Sequence, residues 1–339
     1  MKQPIFKHME LECKCGEACL KNSEEILLEI DAAHSPCPIC STIKLKKFRP
    51  LKDQLNLDSI NLQWGRCECG KRHMDLVMAH ILKIMIREEI QDEKSKLRSS
   101  AVPLITPAYP LKNEPYLGDN SLIVLASKMN EKCAEIIYSE VSEVKGVLKG
   151  EINNTVGIKD FSSSPHVYDL LAGCDLRCDI LSTPLGPIGI HKKQSQIHIE
   201  VPRQHSPKIT SLSLFLKNNN LNSDFKVLDA TCGPGTLGIF CLKAGADKVV
   251  FNDLWKPATT MTTFNLESNG FKVDFFDEKL ENCKVSYGKN FEIYNVDIRK
   301  IDSFVEEKFD LCIIDPFPGV DSKEFVNATR KLAKKTLII

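Results

Sequence analysis

From about residue 206 onward, short apolar strands and helices alternate with little between them. The pattern predicts strand Lys226–Asp229, helix Thr236–Ala244, strand Lys248–Asn252, helix Pro257–Ser268 and strand Phe291–Val296. Helix Ile301–Glu307, strand Asp310–Ile314, helix Ser322–Ala333 and strand Thr336–Ile339 complete it. Runs such as Leu311-Cys312-Ile313-Ile314 are apolar without alternation, as parallel strands covered on both faces require. The expected fold class is therefore α/β, an open, doubly wound, mostly parallel sheet with right-handed crossovers. Such sheets bind ligands beyond the carboxyl ends of their strands, where the strand order reverses.

The rest of the chain has a different texture. A length of 339 residues leaves room for two or three domains. Residues 1–75 are rich in cysteine, and residues 76–118 read as a helix followed by a linker or wrapping segment carrying Pro103, Pro107, Pro110 and Pro115. Residues 119–205 read as an α+β segment, with a hairpin around Pro184-Leu185-Gly186-Pro187, and residues 206–339 as the α/β domain. No apolar run reaches the ~18–20 residues of a membrane span, and Met1–Glu10 lacks a signal core, so a cytoplasmic protein without a membrane partner is expected. With 45 basic against 45 acidic residues no global field steers a polyanion, so a nucleic-acid partner has to be met by local patches.

The first strand of the α/β domain runs into Asp229-Ala230-Thr231-Cys232-Gly233-Pro234-Gly235-Thr236. Two glycines let the backbone turn sharply and approach a ligand, and the next helix starts with free N–H groups. Asp253 ends the second strand in Asn252-Asp253-Leu254, placed to accept both hydroxyls of a ribose, and Asp297 follows the third. A nicotinamide site would carry G-x-G-x-x-G; the string here is D-x-x-C-G-x-G-T. It resembles the cofactor loop of class I S-adenosylmethionine methyltransferases, particularly those acting on exocyclic amines of nucleic-acid bases. The resemblance implies that Asp229, Cys232, Gly233 and Gly235 line the methionine part of S-adenosyl-L-methionine. It further implies Asp253 on the ribose, Leu254 against the adenine, and Asp297 at the adenine amino group.

The fourth strand ends Asp315-Pro316-Phe317-Pro318 at the same rim. An amine conjugated to a ring is a poor nucleophile, and a carboxylate with a backbone carbonyl can hold its two N–H groups and aim the lone pair. Asp315 and the Pro316 carbonyl are the candidate acceptors, and Phe317 offers a stacking face. The tetrapeptide resembles the D-P-P-Y class of amino methyltransferases with the aromatic moved to third place. The order D-P-F resembles the tRNA guanine-N2 dimethyltransferase family, which also carries N-D after its second strand. Arg203-Gln204-His205-Ser206-Pro207-Lys208 precedes the first strand, and Arg203, His205 or Lys208 is a candidate partner of the cofactor carboxylate.

Seven of the fourteen cysteines fall in the first 69 residues. Without a secretion signal, clustered pairs read as metal ligands. Cys37-Pro38-Ile39-Cys40 with Cys67-Glu68-Cys69 supplies four thiolates for a closed tetrahedral zinc site, structural in type. A short repeat relates Cys13-Lys14-Cys15-Gly16 to Cys67-Glu68-Cys69-Gly70. Cys13, Cys15, Cys19 and His34 or His73 are candidates for a second zinc beside the first, and an iron–sulfur cluster is the lesser alternative.

Two basic segments stand out, Lys44–Lys52 around Phe48, and Gly186–Lys208 with Lys192, Lys193, Arg203 and three histidines. Both are candidate phosphate contacts. The leading expectation is methyl transfer to an exocyclic amine of an RNA base, in tRNA. The alternatives are the same chemistry on a protein or small molecule, and a zinc-bearing binding protein with an inactive fold. Thr336–Ile339 counts as the fifth strand, and the edge beyond it calls for cover from earlier strands, a partner chain or self-association.

Overall fold

The structure is a computed structural model and describes residues 19, 21–158, 165–277, 279 and 281–339. Helix α1 (Ser23–Ala33) starts at Asn22, whose side chain accepts from Glu24 N. A cysteine knuckle leads into β1 (Arg72–His73) and helix α2 (Met74–Arg87), capped by His73. Helix α2 is buried on nearly every face, including Leu76, Val77, Ile81, Leu82, Ile84 and Met85. It packs with Leu122, Val124, Cys133, Ile137 and Val147 in one core, so the segment expected as helix and linker lies inside the middle body. After α3 (Leu97–Ser100), the proline-rich stretch supplies β2 (Val102–Ile105) and β3 (Tyr116–Leu117). β2 is an edge strand of the sheet, where Pro103 need donate nothing.

That sheet continues through β4 (Leu122–Ala126), β5 (Val144–Lys149) and β6 (Asp169–Gly173), in the order β2-β4-β5-β6, with α4 (Glu131–Glu140) as the crossover between β4 and β5. Beside it stands the antiparallel hairpin β7 (Leu176–Leu181) and β8 (Ile188–Lys193), in register Arg177↔Lys192 and Asp179↔Ile190. A bidentate buried pair ties the knuckle to the sheet: Arg72 Nε and Nη2 donate to Glu143 Oε1 and Oε2 at 3.1 and 2.6 Å.

The carboxyl-terminal domain contains α5 (Pro207–Asn218), β9 (Phe225–Asp229), α6 (Thr236–Lys243), β10 (Ala246–Asn252) and α7 (Lys256–Ser268). It continues with β11 (Val273–Phe276), β12 (Lys284–Gly288), β13 (Phe291–Tyr294), β14 (Phe309–Ile314), α8 (Lys323–Thr329) and β15 (Ala333–Ile338). The strand order is β11-β12-β13-β10-β9-β14-β15, with the five strands from β13 to β15 mutually parallel. Strand order reverses at β9, so the carboxyl ends of β9, β10 and β14 face one crevice. Two strands not expected from the sequence, β11 and β12, extend the other edge antiparallel. Residues 301–307, expected as a helix, hold the end of a 3₁₀ turn at Ile298–Ser303. β15 pairs only with β14, and no other described strand joins its outer edge. Apolar residues pack both faces of the sheet, and no helix of the described residues is long and apolar enough to cross a membrane.

Candidate active site

The turn after β9 is held on both sides. Ala230 N donates to Ile313 O and Cys232 N to Asn252 O, both at 2.9 Å. Gly235 caps α6 at φ 89°, and a Cβ there would stand 2.9 Å from Thr262 Cγ2. On Gly238 a Cβ would come within 2.1 Å of Phe251, so helix and strand pack this closely only with glycine. Gly233, at φ 52°, faces open space. Cys232 is buried, its thiol 3.6 Å from Thr262 Oγ1. Asn252 is also buried, and its amide donates to Ala230 O and Val296 O, locking three strand ends together.

Two of the candidate carboxylates lie against this turn. Asp229 is fully buried; Oδ2 accepts from Gly238 N at 2.8 Å, and Oδ1 has no hydrogen-bond partner. Burial, with some help from Asp315 and Asp253, pushes its carboxyl up to about 8. Asp253 accepts from Gly233 N at 2.9 Å and Trp255 N at 2.8 Å, and burial raises it too. Leu254 beside it is largely exposed. Asp297 instead caps the 3₁₀ turn and forms an ion pair with Arg299, which holds its carboxyl low.

Asp315 follows β14, and its N–H donates to Thr231 Oγ1 at 2.7 Å, so the threonine of the turn after β9 fixes the end of β14. Its Oδ2 accepts from Lys208 Nζ at 2.6 Å. Lys208 also reaches Glu200 at 3.3 Å, Glu200 meets Lys192 at 2.8 Å, and Lys192 meets Asp179 at 2.9 Å. Arg177 closes the series 3.2 Å from Asp179. Charges of alternating sign thus run from the hairpin to Asp315. Lys192, expected as a phosphate contact, is buried inside this series, and neighbouring His191 is buried as well, so neither is open to a phosphate. Of the three candidates for a cofactor carboxylate, Lys208 is committed to Asp315 and Glu200, while Arg203 and His205 are exposed.

Phe317 has an aromatic neighbourhood that the sequence reading missed. The His198 ring meets it edge-on at 6.0 Å. A Cβ on Gly157 would lie 3.4 Å from Trp255 and 3.8 Å from Phe317, so both rings flank that glycine. Trp255 Nε1 donates to Gln196 O at 2.7 Å. The available signal was a tryptophan directly after Asn252-Asp253-Leu254.

At the other end of the chain, the Sγ atoms of Cys37, Cys40, Cys67 and Cys69 lie within 4.8 Å of one another. Neighbouring sulfurs are 3.5–3.6 Å apart, close to the edge of about 3.8 Å for a tetrahedron around zinc at ~2.3 Å. Cys37 N donates to Cys40 Sγ, and the Lys71 N–H draws the Cys69 thiol down to about 7. Cys13 and Cys15 lie outside the described residues. His34 Nε2 donates to Pro107 O, and His73 accepts from Asp75 N and faces Glu114, so neither joins the four sulfurs.

In the Lys44–Lys52 segment, Lys44, Lys47 and Lys52 are paired with Glu114, Asp75 and Glu93. Phe48 is exposed, with the Arg98 guanidinium 5.5 Å from its ring centre.

Residues 205–297 match the family model of ribosomal protein L11 methyltransferase (PrmA). The chain is 32% identical over 109 residues to a ribosomal RNA large subunit methyltransferase I of Photobacterium profundum, covering 31% of this chain and 24% of that protein. It is 40% identical over 67 residues to a ribosomal protein L11 methyltransferase of Chromobacterium violaceum, covering 20% and 22%. The chain thus spans about a quarter of the length of these curated relatives. Similar solved structures include the complex structure of aTrm5 and tRNALeu, at TM-score 0.37 and 18% identity over 76% of this chain and 62% of that one. Another is P. horikoshii TYW2 in complex with MeSAdo, at TM-score 0.40 and 17% identity over 75% and 76%. Over residues 205–297 the carboxyl-terminal domain is thus similar in sequence to a methyltransferase family.

Proposed function

We propose that the protein is a cytoplasmic enzyme that transfers a methyl group from S-adenosylmethionine to an exocyclic amine of an RNA base, in tRNA. The observation that carries this reading is the hydrogen bond from Asp315 N to Thr231 Oγ1, which ties the Asp315-Pro316-Phe317 strand end to the glycine turn. The site fits the cofactor: Asp229 Oδ1 is buried and unpartnered, and Gly233 leaves open space at the turn. Asp229, Cys232, Gly233 and Gly235 would hold its methionine part, Asp253 its ribose, and Leu254 and Asp297 its adenine. When bound, the cofactor supplies an electrophilic methyl group. Asp315 and the Pro316 carbonyl accept the two amine N–H groups and orient the lone pair, and the Asp315 carboxylate takes up the proton released on transfer. Phe317, with His198 and Trp255 around it, offers a stacking face to a base turned out of its helix.

The four-cysteine knuckle is read as a structural zinc site that stiffens an RNA-contacting amino-terminal module, with Phe48 and Arg98 on its outer face. A protein substrate is the second reading, favoured by the ribosomal-protein methyltransferase model that matches residues 205–297. The test is incubation with methyl-labelled cofactor, unmodified tRNA transcripts and ribosomal proteins, followed by separation and nucleoside analysis. Label in an N-methylated base of RNA is expected. Label confined to protein would overturn the RNA assignment.

A further inference from the structure

A second concavity lies away from the methyltransferase crevice. Helix α1, the β7–β8 hairpin and the start of β4 and β5 enclose a partly open cavity of about 590 Å³, within the usual range for small-molecule sites. Its walls include the apolar side chains of Ile26, Pro107 and Leu176.

Three polar side chains in these walls, Lys145, His34 and His191, stand apart from the rest. Lys145 lines this cavity, is 7% exposed, and forms no ion pair with a carboxylate of the described residues. The other ionised groups of the wall are already matched: Lys21 with Glu29, and Asp119 with Arg66, while Lys71 donates to backbone carbonyls. His191 is 2% exposed with neither ring nitrogen bonded, and His34 Nδ1 is buried and unbonded as well. Burial keeps both imidazoles neutral, His191 down at about 4. Because His34 Nε2 donates to Pro107 O, its Nδ1 is left as an acceptor. The cavity therefore offers an anion the Lys145 ammonium, and a hydroxylated ligand the unbonded ring nitrogens of His34 and His191.

We propose that this cavity binds a small hydroxylated anion, with Lys145 as its charge partner and His34 and His191 bonding its hydroxyl groups. A phosphate or a carboxylate meets the requirement of Lys145 equally, and hydroxyls on the same molecule satisfy the imidazoles. Asn265 links the site to the cofactor loop, since its amide donates to both His191 O and Pro234 O.

The test is calorimetric titration of the full chain with ribose 5-phosphate and, separately, with glycerate, which distinguishes the phosphate from the carboxylate source. Saturable binding of one of them is expected, at least tenfold weaker in Lys145→Met and retained in Lys145→Arg and Asp315→Asn. As a readout that needs no variant, the bound anion should protect Lys145 from reductive methylation, followed by peptide mass spectrometry. Failure of both probes to bind up to about 10 mM overturns the proposal, as does undiminished binding to Lys145→Met. A metal ion bound by His191 and lost in His191→Phe also overturns it. None of these outcomes depends on methyl transfer.

Discussion

Lys208 Nζ stands 2.6 Å from Asp315 Oδ2 and 3.3 Å from Glu200 Oε1, so one ammonium bridges the strand end of the methyltransferase sheet and the segment that follows the hairpin. Burial raises the Asp315 carboxyl from its ordinary value, while Lys208 opposes that rise and Glu200 adds to it. Asp229 also faces it through the interior, and the His198 ring sits beyond Phe317. Removing Lys208 therefore leaves a half-buried carboxylate without its counter-ion, and Asp315 takes up protons at higher pH.

The first prediction concerns the pH profile. In Lys208→Met the acidic limb of the methyl-transfer rate should move to higher pH, with activity at neutral pH reduced and partly recovered in alkali. Lys208→Arg should keep the limb near its original place. Asp315→Ala should lower the rate by about 10²–10³-fold at every pH, the cost of losing one oriented polar group. Rate measurements from pH 5 to 9 check this, and an unmoved limb in Lys208→Met would sink the positioning role.

Asp229 gives the second prediction, in which stability and binding oppose each other. Its carboxyl, pushed up to about 8 against 3.8, binds more protons in the folded than in the unfolded chain between those values. By linkage, its contribution to stability is present at low pH and is lost as pH rises from about 4 to about 8. Asp229→Asn removes this dependence and should raise Tm at pH 8 by a few degrees. The same variant should weaken S-adenosylhomocysteine binding at least tenfold, and wild-type affinity should increase as Asp229 ionises towards pH 8. Calorimetric titrations at pH 6, 7 and 8 with a matching melting series check both.

How far the sequence disclosed this site depended on whether its signals were local. Asp229, Gly233 and Gly235 were legible because a strand, a turn and a helix follow one another in a single stretch. The Cys37/Cys40 and Cys67/Cys69 pairs were legible from their spacing. Lys192 was misread because a lysine in a basic run looks solvated; its partner Asp179 lies on the other strand of the hairpin, beside the Arg177↔Lys192 pair. Without the register, charge burial cannot be read. β11 and β12 were missed for a related reason. They form a half-exposed antiparallel edge with no continuous apolar run, so Val273–Phe276 carries a weaker pattern than Leu311–Ile314. Helix α2 was read as a helix, but its burial on all sides depends on partners from β4, α4 and β5 that only the fold brings together.

The third prediction follows from the sulfur geometry. One zinc per chain should be found in the Cys37, Cys40, Cys67 and Cys69 set, and Cys40→Ser should lose it. Chelation should lower Tm by removing a cross-link between the knuckle and the strand that carries Arg72. Elemental analysis with melting curves in and out of chelator checks this. Retention of the same zinc by Cys40→Ser would contradict the assignment.

The last prediction concerns the pair that anchors this module. Arg72 and Glu143 are almost completely buried and joined by two hydrogen bonds, with Arg66 a further 3.4 Å from the same carboxylate. His80 Nδ1 lies 3.3 Å from Arg72 Nη1, and burial together with that guanidinium pushes its imidazole down to about 4, so it adds no second charge. Glu143→Ala leaves the Arg72 charge without its partner in the interior and should cost about 3–5 kcal/mol. The double substitution Arg72→Met/Glu143→Leu removes both charges and should recover most of that loss, since an apolar pair of similar volume replaces an ion pair at little net cost. Urea unfolding of the two variants against wild type separates these outcomes. If the double variant is no more stable than Glu143→Ala, the loss comes from packing and not from the stranded charge.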